Sequence, residues 1–256
     1  VIGLLLGEIT SCAVSIIAVS YRFYHLNTII LFEKIQNFKT YCKNLISIAF
    51  PLSLNRIVIN ILQSVEAIYI PNRLMLYGLN NETVLSIYGV LTGMAIPLIL
   101  FPTALTGSVS VLLLPYVAQS QEQQDKIKLT QAFKKSLSFT LFIGFCCTLF
   151  FFLFGKFLGE FLFHNTLAGT FIMSMSFLCP FLYSGSILSS IMHGLGKAGT
   201  AFIYNCISMI VRLLFVFYAI PQFGITGYLW GLLLSEITLC TLYIMKLSSY
   251  IKVSYK

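Results

Sequence analysis

Charge is what this sequence has least of. Asp, Glu, Lys and Arg make up 9% of its 256 residues, where a soluble globular domain carries about 25%. Acidic residues are the scarcer sign, eight against sixteen Lys and Arg. The equipment of most enzymes is missing too. His25, His164 and His193 are scattered and form no HExxH or triad pattern. The seven cysteines (Cys12, Cys42, Cys146, Cys147, Cys179, Cys206 and Cys240) show no CxxC or Cys/His spacing. Metal binding is therefore not expected, and the thiols read as small buried hydrophobes. The glycines around His193-Gly-Leu-Gly-Lys197 lack the GxxxxGK[ST] spacing and follow no strand, so they read as a tight turn between helices rather than a nucleotide loop. No catalytic residue, metal site or cofactor is expected.

What is abundant is apolar surface: 58% hydrophobic residues and a mean hydropathy of +0.90. That composition defines an all-α polytopic membrane protein. The chain opens at Val1 inside an apolar run, without Met or a basic leader, and reads as a fragment or trimmed chain rather than a signal peptide. A bilayer crossing needs about 20 apolar residues, and seven candidates follow: 2–19, 45–70, 84–117, 137–154, 167–191, 202–220 and 225–245. The third is too long for a straight crossing and contains Pro97, Pro102 and Pro115. It reads as an opening turn plus a kinked span.

The net charge of +8 follows membrane topology rather than a nucleic-acid patch, so no nucleic-acid partner is expected. One set of loops and the tail hold twelve Lys and Arg; the opposite loops hold Arg73 and Lys156. Positive residues favour the cytoplasm, which places residues 20–44, 119–135, 197 and the C-terminal tail inside. Residues 119–135 suggest an amphipathic interfacial helix or a solvated linker, and 72–86 an outer interfacial helix.

The span 45–70 carries Asn55, Arg56, Asn60, Gln63 and Glu66. A charge at the bilayer centre costs roughly 3 kcal/mol on insertion scales. At 100° per residue, all five fall within an arc of about 140°, which reads as one wet face lining a pathway. Arg56 is near the midplane, suited to an anionic phosphate-bearing substrate or to a bridge with Glu8 or Glu236. Glu66, about 15 Å further along, falls near the outer mouth, with a structural or gating role. Arg212 shares a helix face with Asn205 and Ser208. It lies at similar depth to Glu236 on the next, antiparallel span, so it either forms a structural ion pair with Glu236 or faces substrate. The Phe-rich run 139–163 reads as lipid-facing bulk.

Several stretches resemble a known family. They are Phe50-Pro-Leu-Ser-Leu-Asn-Arg56, Leu62-Gln-Ser-Val-Glu-Ala67, Ile70-Pro-Asn-Arg73, Leu76-Tyr-Gly-Leu79, Tyr88-Gly-Val-Leu-Thr-Gly-Met-Ala-Ile-Pro97, Leu112-Leu-Leu-Pro115, Met192-His-Gly-Leu-Gly-Lys197 and Gly224-Ile-Thr-Gly227. Together they are similar to the stage V sporulation protein B and polysaccharide biosynthesis flippases of the MOP exporter superfamily. The resemblance implies the second half of a MATE-like fold. Residues 1–19 would be the last helix of the first lobe, 20–44 the inter-lobe loop, 45–246 the second six-helix lobe and 247–256 a cytoplasmic tail. Related lipid II flippases carry a basic residue near the bend of the eighth helix; residues 93–101 have none.

The implied activity is flipping of an undecaprenyl-linked glycan, a peptidoglycan-type precursor for spore cortex, across the bacterial plasma membrane. H+ or Na+ would be the coupling ion. A multidrug or cation antiporter of the same fold, using Glu8, Glu66 or Glu236, is the alternative, and a non-transporting membrane scaffold a third class.

Overall fold

The computed structural model describes residues 2–24 and 38–253, with side chains described in part of 3–18 and over 56–250. Among the described residues every element is helical. The chain divides into two compact units, Val1–Ser53 and Leu54–Lys256. The first contains α1 (Ile2–Tyr24) and the opening turns of α2 (Phe38–Leu76). The second contains the rest of α2, then α3 (Asn81–Val90), a π turn over Leu91–Ala95, α4 (Ile96–Leu100), α5 (Thr103–Glu122), α6 (Lys126–Phe163) and α7 (Thr166–Met175). A 3-10 turn at Ser176–Leu178 leads into α8 (Cys179–Gly194), followed by α9 (Ala198–Tyr218), α10 (Ile220–Phe223) and α11 (Ile225–Val253).

Five helical stretches among the described residues are long and apolar enough to cross a membrane: Asn81–Leu100, Lys126–Phe163, Thr166–Gly194, Ala198–Tyr218 and Ile225–Tyr250. The protein is a multi-pass membrane protein. Parts of the expected spans 2–19 and 45–70 have side chains outside the described residues.

The long third segment is kinked where proline removes backbone donors. Pro97 lacks the N–H that would bond Gly93, and the ladder there widens to the π turn. At Phe101 and Pro102 the backbone stays in the right-handed helical region while the helix breaks into α4 and α5. The Tyr183 hydroxyl donates to the Ile99 carbonyl at 2.8 Å beside this break.

Neither expected interfacial helix exists as a separate element. Residues 119–122 finish α5, and Lys126 opens the 38-residue α6. The reason is a cap: the Asp125 carboxylate accepts the Lys128 N–H at 3.0 Å and pairs with the Lys128 ammonium at 3.0 Å, so the helix starts at the loop. On the other side Asn72–Leu76 complete α2, and after a turn with Gly78 at φ +100° helix α3 begins. The His193–Lys197 turn is helix termination. Gly196 adopts φ +67°, Lys197 N–H reaches the Met192 carbonyl at 2.9 Å, and Gly196 N–H reaches His193 at 3.0 Å. That is the double bond pattern of a glycine-terminated helix.

Helices α6 and α7 approach so closely that only glycine fits between them. A Cβ on Gly159 would collide with the Gly169 nitrogen of α7, and α6 is as close to α8, where a Cβ on Gly144 would collide with the Pro180 Cα. Small residues at such crossings are how membrane helices gain packing without a hydrophobic drive. The Phe-rich face of α6 points outward, with Phe142, Phe145, Phe157 and Phe161 exposed, though Phe151 is buried in the core.

Two outcomes test this packing. Gly159→Ala should lower the thermal midpoint of the detergent-solubilised protein, because overpacking costs about 1–3 kcal/mol; an unchanged midpoint would show that the helices are not held that close. Hydrogen bonds from the Lys128 N–H and ammonium hold the Asp125 carboxyl below its ordinary pKa. The cap is therefore fully made above the unfolded carboxylate pKa and lost as pH falls through the lower folded value. Asp125→Ala at neutral pH should speed amide exchange over residues 127–129, leaving residues 140–160 unchanged.

Candidate functional site

Helix α2 meets the rest of the second unit on one side only. Taking Asn55 as zero, Gln63, Arg56 and Asn60 fall at about 80°, 100° and 140° around the helix, whereas Glu66 falls at about 20°. Arg56, Asn60 and Gln63 are exposed, and Val58, Ile59, Leu62 and Val65 are partly covered. The Asn55 side chain lies outside the described residues. Among the described residues Arg56 has no ion-pair partner, and Glu236, one proposed bridge for it, is held elsewhere. Glu8 lies outside the described side chains.

Glu66 departs from the expected wet face. It is 5% exposed, because its position turns toward the side of α2 that packs on protein. The Tyr228 hydroxyl donates to Glu66 Oε1 at 2.8 Å, and Arg212 Nη1 lies 3.7 Å from Oε2. Water at an outer mouth does not solvate this carboxylate; protein does. The expected face is therefore split: three polar groups look outward, and the fourth anchors the helix.

Arg212 is the centre of that anchor. Its Nη2 donates to Glu236 Oε1 at 3.0 Å, and its Nε donates to the Ser235 hydroxyl at 3.2 Å. Ser235 in turn donates to the Leu232 carbonyl at 2.8 Å, and Ser208 donates to the Ser235 carbonyl at 2.9 Å. Asn205, on the same face of α9, donates to Ala201 at 2.9 Å and to the Tyr243 hydroxyl at 3.2 Å. The face Asn205–Ser208–Arg212 thus bonds mainly to α11, and Arg212 reaches α2 as well. One guanidinium serves two carboxylates from different helices, which joins α2, α9 and α11 through a single planar group.

Sequence reasoning did not anticipate Tyr228 or Ser235 in this cluster. The signal was present: Tyr228 and Ser235 are seven residues apart, two helical turns on one face, and Ser235 adjoins Glu236. Glu66 could not be assigned to Arg212 from sequence, since no spacing rule links residues so far apart. Nothing in the cluster resembles a nucleophile with its base, and among the described residues no group of three His, Cys, Asp or Glu is placed to hold a metal.

The all-helical arrangement of the described residues is MATE-like in fold. A solved MATE-family multidrug resistance transporter of the MOP superfamily, in an inward-facing conformation, superposes with a TM-score of 0.58 at 15% identity, over 82% of this chain and 49% of that one. By sequence the chain is similar to stage V sporulation protein B of Bacillus subtilis (strain 168), 24% identical over 226 residues, 88% of this chain. It spans about half the length of both relatives, 44% of the sporulation protein. No protein-family model matches it. The solved relative is a transporter, and neither comparison brings an enzyme.

The anchor makes a direct prediction. Removing one partner of a buried ion pair costs about 3–5 kcal/mol, so Arg212→Met should lower the thermal midpoint sharply or abolish folded protein. Arg212→Lys should not restore it, because a single ammonium cannot span Glu66, Glu236 and Ser235. Glu66→Gln should be tolerated far better, since its amide oxygen still accepts from Tyr228. Equal midpoints for Arg212→Met and wild type in detergent would sink this account.

Proposed function

We propose that the chain forms the second lobe of a membrane flippase that moves an undecaprenyl-linked glycan by alternating access, the substrate being a peptidoglycan-type precursor for spore cortex. The observation that carries this reading is the contrast between two membrane-embedded arginines. Arg212 is neutralised by two carboxylates, whereas Arg56 stands exposed beside Asn60 and Gln63 without an ion-pair partner among the described residues. A guanidinium kept in a membrane-spanning helix without an internal counter-charge is supplied with one by its ligand. Its fork suits pyrophosphate, and the neighbouring amides suit sugar hydroxyls.

In this mechanism Arg56 holds the pyrophosphate while the prenyl tail stays in lipid. Asn55, Asn60 and Gln63 continue the polar path, and Glu66 braces the helix from behind. Rocking of this lobe against its counterpart exposes the Arg56 face alternately to the two sides. With the tail and the Lys-rich loops inside, the membrane is the bacterial plasma membrane. H+ or Na+ supplies the energy. The similarity to stage V sporulation protein B supports a role in sporulation. The antiporter reading has less to draw on, since Glu66 and Glu236 are both engaged by Arg212.

The test uses the full-length protein in proteoliposomes with a fluorescent lipid-linked precursor. Charge-assisted hydrogen bonds contribute about 1.5–3 kcal/mol, so Arg56→Ala should slow translocation at least tenfold, with Arg56→Lys intermediate. Unchanged flipping in Arg56→Ala would remove the phosphate role. Dye efflux by wild type that is lost in Glu66→Gln would favour the antiporter.

A further inference from the structure

Apolar grooves among the described residues of the second unit differ in one respect. The groove at Phe101, Pro102, Cys146 and Phe150 is wholly apolar, and that at Trp230, Leu229 and Phe177 adds only hydroxyls. The third, of about 490 Å³, lies between α5 and α6 and carries a cation. Its body is Leu112, Leu113 and Phe139, and its other end is Tyr116, Gln131 and Lys135. The two helices are joined by the short turn at Gln123–Asp125, so they run antiparallel and the polar end is the end nearer that turn.

We infer that this groove is a binding site for an anionic glycerophospholipid, with an acyl chain along Leu112, Leu113 and Phe139 and the phosphate at Lys135. Charge complementarity selects the occupant. Lys135 is the cation that lines the groove: Lys134 and Lys246 are not among its lining residues, Lys128 holds Asp125 at 3.0 Å, and Lys197 Nζ sits 3.6 Å over the Tyr250 ring. Lys135 is exposed and has no ion-pair partner among the described residues. It lies about 14 Å along α6 from Lys126, a depth from which a lysine reaches the headgroup layer by snorkelling. Gln131, one turn nearer the loop, and Tyr116 offer an amide and a phenol to the glycerol and headgroup oxygens. A zwitterionic lipid would place its own ammonium beside Lys135 and gain less. The site is separate from the Arg56 face and does not depend on what that face transports.

The experiment reconstitutes the full-length protein in phosphatidylcholine vesicles doped with either phosphatidylglycerol or phosphatidylcholine bearing the same photoreactive acyl chain. Crosslinks are then mapped by mass spectrometry. One lysine near an anionic surface contributes about fivefold in binding, so phosphatidylglycerol should label Leu112, Leu113 and Phe139 about fivefold more than phosphatidylcholine. Lys135→Gln should remove that excess, and Leu112→Trp, filling the groove, should remove labelling by both lipids. Leu112 is 74% exposed, so neither change disturbs the core. Equal labelling of wild type by the two lipids, or an excess that survives Lys135→Gln, would overturn the inference.

Discussion

A single guanidinium holds this bundle in register. Arg212 sits on α9, its partner Glu236 on α11 and its second carboxylate, Glu66, on α2. Three ionisable groups in a membrane interior are tolerated only because they meet one another: the desolvation of a lone carboxylate costs more than helix packing returns. With both carboxylates ionised the cluster would hold one negative charge in excess, and the Tyr228 hydroxyl offsets part of it by donating to Glu66. The geometry of that arrangement fixes rotation and translation of three helices together, which non-directional apolar contacts do not do.

The polar cluster also divides the hydrophobic interior. Along α9, Ala201 belongs to one apolar cluster and Val216 to the other; Ser208 and Arg212 lie between them. Along α11, Tyr228 and Leu232 fall in the cluster of Val216 and Leu239 and Tyr243 in that of Ala201, with Ser235 and Glu236 between. Two smaller cores flank one ionic layer. Slippage of α9 against α11 by one turn would carry Arg212 from its carboxylates into an apolar cluster, so the layer excludes registers that the apolar residues alone would allow.

How much of this was legible follows from the range of each interaction. Helix boundaries set by Gly196 and the prolines, the kink in the third span, and the Arg212–Glu236 juxtaposition across a short turn rest on local chemistry, and sequence reading reached all of them. The interfacial helices expected at 72–86 and 119–135 are not separate elements, because hydropathy marks where a span leaves the apolar layer and not where its helix ends. In fact Asp125 caps a helix that simply begins in polar surroundings. Glu66 was misplaced for a different reason. A helical wheel assigns a side chain to a direction but not to a neighbour, and an arc of 140° is wide enough to hold both a packed edge and an open one.

That ambiguity bears on every membrane helix with several polar residues. Periodicity identifies a polar stripe, but burial within the stripe depends on where neighbouring helices cross. In α2 the two outcomes are separated by only about 60° of rotation and three residues, Gln63 against Glu66. The discriminating feature is what the neighbouring helices offer at each height along α2. Arg212 and Glu236 satisfy each other, which leaves Glu66 and Arg56 on one helix with opposite signs and about 15 Å between them. A carboxylate can be absorbed by a guanidinium that already has a donor to spare and by a tyrosine hydroxyl, so Glu66 can go inward. Arg56, about 15 Å along the helix from Glu66, is out of reach of that cluster and stays on the exposed side of α2.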